Sequence, residues 1–169
     1  MAHTDEALPQ LWEAQVEATR EIPNVGIAAT TDIADNRGNI HPWDKWDVGH
    51  RLALIALARD YGRKNIEYSG PVYKKVTAQA GSLVVTFDHA EGLKSRDGKP
   101  LNDFEIAGSN GNFVPATAHA DGETVIVSSP EVKVPKWVRM GWHETANPNL
   151  ENSAGLPALP FQAELLGGR

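Results

Sequence analysis

Val25-Gly26-Ile27-Ala28-Ala29-Thr30 runs directly into Thr31-Asp32-Ile33-Ala34-Asp35-Asn36-Arg37-Gly38-Asn39-Ile40-His41-Pro42, and the reading of this stretch decides the fold. The first six residues are apolar, partly β-branched and bounded upstream by Ile22-Pro23-Asn24, so they predict a short buried strand. The polar residues that follow predict a loop at the strand's carboxyl end, where open α/β sheets gather ligand-binding side chains. That loop delivers His41 just ahead of a helix. Pro42 biases His41 toward extended angles and itself suits a first helical turn, so the imidazole is presented from a restrained backbone. Downstream, Val48, Leu52, Ile55 and Ala58 recur at helical spacing. Leu54, Leu57 and Tyr61 widen the apolar face into a well-buried helix, and Gly62 supplies its C-cap. An acid-base imidazole fits this setting; a surface turn histidine is the plainer reading of the same residue.

Upstream, Leu8, Leu11, Trp12 and Val16 form a helical stripe, with Pro9 in its opening turn. From Tyr68 onward the period changes to two. Val76, Ala78 and Ala80 lead to a turn at Gly81, and Leu83, Val85 and Phe87 share one strand face. Phe104 with Ile106, Val125 with Val127, and Val138 with Met140 and Trp142 continue the alternation. Asp121-Gly122 marks a hairpin and Ser129-Pro130 a break. Six or so short strands separated by turns predict an antiparallel β-sandwich. Residues 147–161, rich in Pro and Asn, predict an ordered irregular strap anchored by Leu156 and Phe161 and fraying after Gln162. The expected division is therefore a helix-strand-helix part over residues 1–66, a β-sandwich with its strap over 67–163, and a frayed tail over 164–169. One strand between two helices cannot make a sheet, because its backbone groups would stay unpaired. Either a larger α/β domain is completed from outside these residues, or the strand adds to the sandwich edge.

Several groups of residues occur in an order that carries a resemblance. They are Leu11-Trp12-Glu13-Ala14-Gln15, the stretch from Thr31 to Pro42, Arg51-Leu52-Ala53-Leu54, Tyr68-Ser69-Gly70-Pro71, Asn149-Leu150, and Gly155-Leu156-Pro157-Ala158-Leu159-Pro160-Phe161. Together they resemble the C-terminal portion of the sialate O-acetylesterase family, which belongs to the SGNH-hydrolase esterases. The resemblance implies a mixed α and β chain, the C-terminal fragment of an SGNH-type α/β hydrolase domain followed by the sandwich. It also implies a chemistry: a serine attacks an acetyl carbonyl, a histidine takes its proton and returns it to the leaving sugar oxygen, and hydrogen-bond donors stabilise the oxyanion. His41 matches the family's histidine. The family's serine sits in a Gly-Asp-Ser-like block early in the hydrolase domain, whereas no serine precedes His41 here. The isolated chain is therefore expected to be inactive, its partners being an acetylated sugar and either a missing N-terminal hydrolase segment or another copy of the chain. Relatives are often exported; Met1-Ala2-His3-Thr4-Asp5-Glu6 is acidic and lacks the charged-then-apolar run of an export signal. Many SGNH esterases place an aspartate three residues before the histidine; Gly38 occupies that position, leaving Asp32, and behind it Asp35, as substitutes. Both aspartates also read as ordinary turn formers.

Gly108-Ser109-Asn110-Gly111 echoes the nucleophile block superficially, but it lies between the alternating runs 104–107 and 112–118. A turn is expected there, since a nucleophile elbow must feed a helix. Trp43 and Trp46 flank the loop after His41 and offer faces for a pyranose ring, or equally for packing a helix start against a neighbouring domain. Arg51 is placed to pair with Asp47 or another carboxylate, or to meet a substrate carboxylate. His89 beside Asp88 and His143 beside Glu144 lack further ligands at a recognised spacing, so no metal is expected, and no cofactor either. His50 and His119 read as surface residues.

The 16 basic and 22 acidic residues leave a net charge of −6 with no basic face to offset phosphate, which argues against nucleic acid as a partner. The absence of cysteine excludes disulfides and thiolate metal sites. No apolar run approaches the roughly 20 residues of a spanning helix, so no membrane partner is expected. The principal alternative to the esterase reading is a non-catalytic accessory module, with the β-sandwich binding carbohydrate or buttressing a hydrolase, or a structural remnant.

Overall fold

The computed structural model describes residues 5–34 and 41–166. Two helices, α1 (Ala7–Glu21) and α2 (Trp46–Arg59), precede ten strands: β1 (Val72–Gln79), β2 (Ser82–Asp88), β3 (Lys94–Ser95), β4 (Phe104–Ala107), β5 (Val114–Pro115), β6 (Thr117–Asp121), β7 (Thr124–Ser128), β8 (Trp137–Met140), β9 (Leu150–Glu151) and β10 (Phe161–Glu164). Every pairing is antiparallel. One four-stranded sheet has the order β1-β2-β7-β6, a second has β10-β8-β4-β5, and β3 pairs with β9. The fold is mixed α and β, with the sheets dominant.

Both large sheets feed one core. Leu83, Val85 and Phe87 of β2 and Val125 and Val127 of β7 meet Phe104, Ile106, Val138, Met140 and Phe161 from the other sheet, all buried. Their spacing of two puts one face of each strand into this core, and each such Val, Leu or Ile contributes about 1.5–3 kcal/mol of burial. The hairpins form where expected: Ala80-Gly81 joins β1 to β2 with both residues at positive φ, and Asp121 pairs with Thr124 across the turn that contains Gly122. The alternating run 112–118 divides, however. Val114–Pro115 pairs with β4, whereas Thr117–Asp121 pairs with β7 in the other sheet. Pro115 has no N–H with which to continue a ladder, and Ala116 donates to the Phe104 carbonyl (3.0 Å) at the crossing point.

The strap over residues 146–160 is mostly buried and holds two interior asparagines, Asn149 and Asn152. Each uses its whole amide, as a buried amide must. Asn149 donates from Nδ2 to Asp97 Oδ1 (2.9 Å) and to the Pro100 carbonyl (3.0 Å), and accepts the Asn102 N–H (3.1 Å). Asn152 donates to the carbonyls of Ser69 (2.9 Å) and His89 (3.0 Å) and accepts the N–H groups of Ala154 and Leu156. Beside it the backbone at Gly70 runs so close to the strap that a Cβ there would lie 1.8 Å from the Pro157 carbonyl oxygen. Glycine is required at that position by contact alone. The chain does not fray after Gln162: β10 pairs with β8 through Glu164, and Leu165 donates to the Lys136 carbonyl (2.7 Å).

In the helical part, α1 ends at Glu21 because Pro23 forces Ile22 into an extended conformation (φ −104°, ψ 121°). It buries Pro9 and Val16 and packs against β10. The strand expected over residues 25–30 is absent: the segment joins no ladder. With no partner strand beside it, its carbonyls accept from arginines of α2, Val25 from Arg59 (2.6 Å) and Ala29 from Arg51 (2.6 Å). Nor is α2 well buried; Arg51 is its only buried residue, and Leu52 is 49% exposed. The helix begins at Trp46, so Pro42 precedes the first turn rather than lying in it.

Gly70→Ala is expected to destabilise the chain by about 1–3 kcal/mol or more, because the Leu156-Pro157 backbone crowds the new methyl. For a chain of this length each kcal/mol lowers Tm by roughly 2–4 °C, so calorimetry reads the effect directly. Gly49→Ala, which meets nothing within 4 Å, serves as the control and should hold or slightly raise Tm.

Asp97 gives a pH-dependent expectation. Hydrogen bonds from Asn149, Ser95 and the Lys99 N–H hold its carboxyl well below the usual carboxylate range. A depressed folded-state pKa stabilises above the unfolded value near 3.9 and is lost as pH falls toward the folded one. Asp97→Asn should therefore lower Tm at pH 6–7, with the gap to the parent narrowing progressively below about pH 4. A gap that stays constant between pH 7 and pH 3 would refute the assignment.

Candidate active site

The loop that leads to His41 starts from a buried ion pair. Arg51 projects from α2 and meets Asp32 in two parallel bonds, Nη1 to Oδ1 and Nη2 to Oδ2, each 2.7 Å, while Nη1 also donates to the Ala29 carbonyl at 2.6 Å. The two side chains are 8% and 7% exposed. Burial works against the guanidinium's charge, but the hydrogen bond to Asp32 and the negative charges of Asp32, Asp47 and Asp44 outweigh it and raise its pKa above the ordinary value. Paired, planar geometry of this kind is what arginine and carboxylate achieve best. Sequence reasoning had paired Arg51 with Asp47 or with some other carboxylate. Asp47 instead sits in the first turn of α2, where its N–H donates to Asp44 Oδ1 (2.9 Å).

Around this anchor the expected site residues separate. Asp32 faces Arg51, so the carboxylate expected to orient the imidazole has both oxygens engaged by the guanidinium. His41 is exposed on the approach to α2. Trp43 and Trp46 are each 83% exposed, which leaves their rings open on the same approach. Asp35 and Gly38 lie outside the described residues.

A second cluster escaped sequence reasoning. Glu67 Oε1 lies 2.8 Å from His89 Nδ1 and also accepts the N–H groups of Tyr68 and Ser69. Tyr68 meets the imidazole edge-on with ring centroids 4.9 Å apart, and His89 takes a positive φ of 58°. Tyr68, Ser69 and His89 of this cluster line a cavity of about 240 Å³ together with Val16, Arg20, Ile55 and Arg59, where the helices meet the sheets. His89 had been weighed as a metal ligand; its partner is a carboxylate 22 residues away, a separation that no local spacing reveals. Among the described residues no group of three or more His, Asp or Glu side chains is placed to hold a metal ion, and no described helix is long and apolar enough to cross a membrane. Ser109 is exposed in a turn closed by the Gly111 N–H on the Gly108 carbonyl (3.1 Å), the role expected of it. Ser69, beside the cavity, spends its hydroxyl proton on the Gly70 carbonyl (2.9 Å). His50 and His119 are exposed.

No protein-family model matches the chain. Among curated proteins it is similar to the sialate O-acetylesterase of Homo sapiens, 28% identical over 177 aligned positions that cover 95% of this chain and 34% of that protein. The mouse (Mus musculus) sialate O-acetylesterase is 38% identical over 92 residues, covering 52% of this chain and 16% of the relative. Among solved structures, a carbohydrate acetylesterase from Xanthomonas citri superposes with a TM-score of 0.83 at 42% identity, over 89% of this chain and 35% of the other. The chain thus spans about a third or less of the length of these relatives. Over that span it is similar to the sialate O-acetylesterases and to that carbohydrate acetylesterase.

Proposed function

We propose that this chain is the histidine-bearing, C-terminal part of a sialate O-acetylesterase-like carbohydrate esterase that hydrolyses acetyl esters on sialic acid or a related sugar. The observation that carries the reading is the exposure of His41 on a polar loop ahead of α2, in a chain similar to acetylesterases along nearly its whole length. A serine from outside these residues attacks the acetyl carbonyl. His41 accepts the serine proton as the tetrahedral intermediate forms and delivers it to the departing sugar oxygen, then repeats the transfer with water to release acetate. Asp32 supports the imidazole from the same loop. Trp43 and Trp46 offer flat apolar faces to the C–H side of a pyranose.

On this reading the two sheets are a β-sandwich, and residues 1–66 complete an SGNH-type hydrolase domain whose remainder, or a second copy of the chain, supplies the serine. Two features support that division. The segment 25–30 lies outside every ladder, and α2 leaves apolar side chains half-buried or exposed where a buried helix would cover them. The self-contained core of the two sheets favours the accessory-module reading as the second choice.

The chain alone is expected to leave a chromogenic acetyl ester untouched and to turn it over once a polypeptide carrying the family's serine-containing segment is added. His41→Ala should then lower kcat by about 10³-fold or more, as removal of an acid-base residue does. Equal turnover with and without the imidazole overturns the reading. Glycan binding that survives His41→Ala but is lost on truncating Trp43 or Trp46 would instead favour the accessory module.

A further inference from the structure

We propose that Asn110 is a site of spontaneous covalent modification, where the turn between β4 and β5 offers an asparagine amide for ring closure onto the Gly111 nitrogen and conversion to aspartate or isoaspartate. The sequence supplies the first reason. Asn110-Gly111 is the only Asn-Gly pair in the chain, and a residue without a side chain leaves the approach of its nitrogen to the preceding amide unobstructed. The other asparagines precede larger residues, and Asn147 precedes Pro148, whose nitrogen has no proton to lose.

The fold supplies the rest. Residues 109–112 are exposed, Gly111 takes a φ of 71°, and a Cβ built there would meet nothing within 4 Å, so water and hydroxide have open access to the turn. Asn110 Oδ1 accepts the Asn112 N–H (3.2 Å), which folds the side-chain amide back along the chain over the Gly111 peptide. The same bond draws electron density away from the amide carbon. One contact opposes reaction: the Gly111 N–H donates to the Gly108 carbonyl (3.1 Å) and must be released before its proton can leave. A lone hydrogen bond closing a surface turn opens with little free energy. Asn149 and Asn152 stand in contrast, 3% and 1% exposed, with their Nδ2 donors held by Asp97 and by backbone carbonyls.

The chemistry needs only hydroxide and water. Hydroxide removes the Gly111 amide proton, the nitrogen attacks Asn110 Cγ, and the Cγ–Nδ2 bond breaks to release ammonia, its extra proton coming from water. Water then opens the cyclic imide at either carbonyl. Attack at Cγ gives aspartate on an unchanged backbone; attack at the main-chain carbonyl of residue 110 breaks its bond to the Gly111 nitrogen and leaves isoaspartate, with the chain running through Cγ. Either product adds a negative charge beside Glu131 and Lys133, which line the same surface hollow. Isoaspartate also lengthens the backbone in the turn that leads to β5, and the disturbance is confined to that edge because β5 pairs with β4 alone.

The test is ageing of the folded chain at mildly alkaline pH, with mass mapping and separation of the aspartate and isoaspartate peptides against synthetic standards. Asn110 is expected to convert at a rate within about tenfold of that in a free peptide of residues 108–113, because the turn opens readily, and to convert faster as pH rises. Asn149 and Asn152 should stay intact in the same samples. Asn110→Gln, which keeps an amide but needs a larger ring, should abolish the change. A folded chain in which Asn110 lags the peptide by more than that margin, or in which another asparagine converts first, overturns the proposal. In the aged product, amide exchange should quicken over residues 108–116 and stay at the parent's rate over β7 and β8; quickening across those strands overturns the confinement to the edge.

Discussion

Gly70 and the Pro157 carbonyl approach so closely that no side chain fits between them, and the way the two halves of the chain meet depends on that contact. It brings the Tyr68-Ser69-Gly70-Pro71 connector, which follows the helices, against the strap that follows the sheets. Polar bonds hold the approach. Asn152 donates to the Ser69 and His89 carbonyls from one side, and Leu159 donates to the Pro71 carbonyl (3.0 Å) from the other. Past Pro160 the strap becomes β10, which pairs with β8 and packs on α1. A single irregular segment therefore closes the second sheet and seats the first helix.

The two halves solve the problem of the buried backbone differently. Sheet pairing satisfies the β part, and its side-chain period fills one apolar core. In the helical part the carbonyls of Val25 and Ala29 are met by guanidinium groups, so charged side chains do what a neighbouring strand would do. Such bonds are directional and localised. They fix particular atoms more firmly than they bury area, and they leave α2's apolar side chains open.

This difference explains what was legible in the sequence. The faces of β2, β7 and β8 could be read residue by residue, because a period of two needs no knowledge of the partner: Leu83, Val85 and Phe87 are buried whichever strand lies alongside. The turn at Ser109 was legible for the same local reason. Segment 25–30 was not, since a ladder is a non-local fact and its β-rich composition says nothing of whether a neighbour exists. The split of residues 112–118 between sheets turned on the missing donor of Pro115, and β10 was hidden behind the prolines of the strap. At the site, the order of His41 and α2 along the chain could be read, since it is local. The partners of Arg51 and His89 could not, being 19 and 22 residues away, beyond any helical or strand repeat.

The same separation bears on how a histidine can be exposed and yet held. Reaction with an incoming sugar ester needs an accessible ring, and accessibility removes the packing that would otherwise fix its direction. Rigidity must then be imported from buried atoms nearby. The Asp32–Arg51 pair is a buried contact of that kind, nearly excluded from water and tied to the helix that begins at Trp46. Because a bidentate pair tolerates little rotation, the backbone leaving Asp32 inherits its direction. His41, Trp43 and Trp46 thus stand exposed on the approach to α2, while the ionic contact that ties Ala29 and Asp32 to the same helix is closed to water.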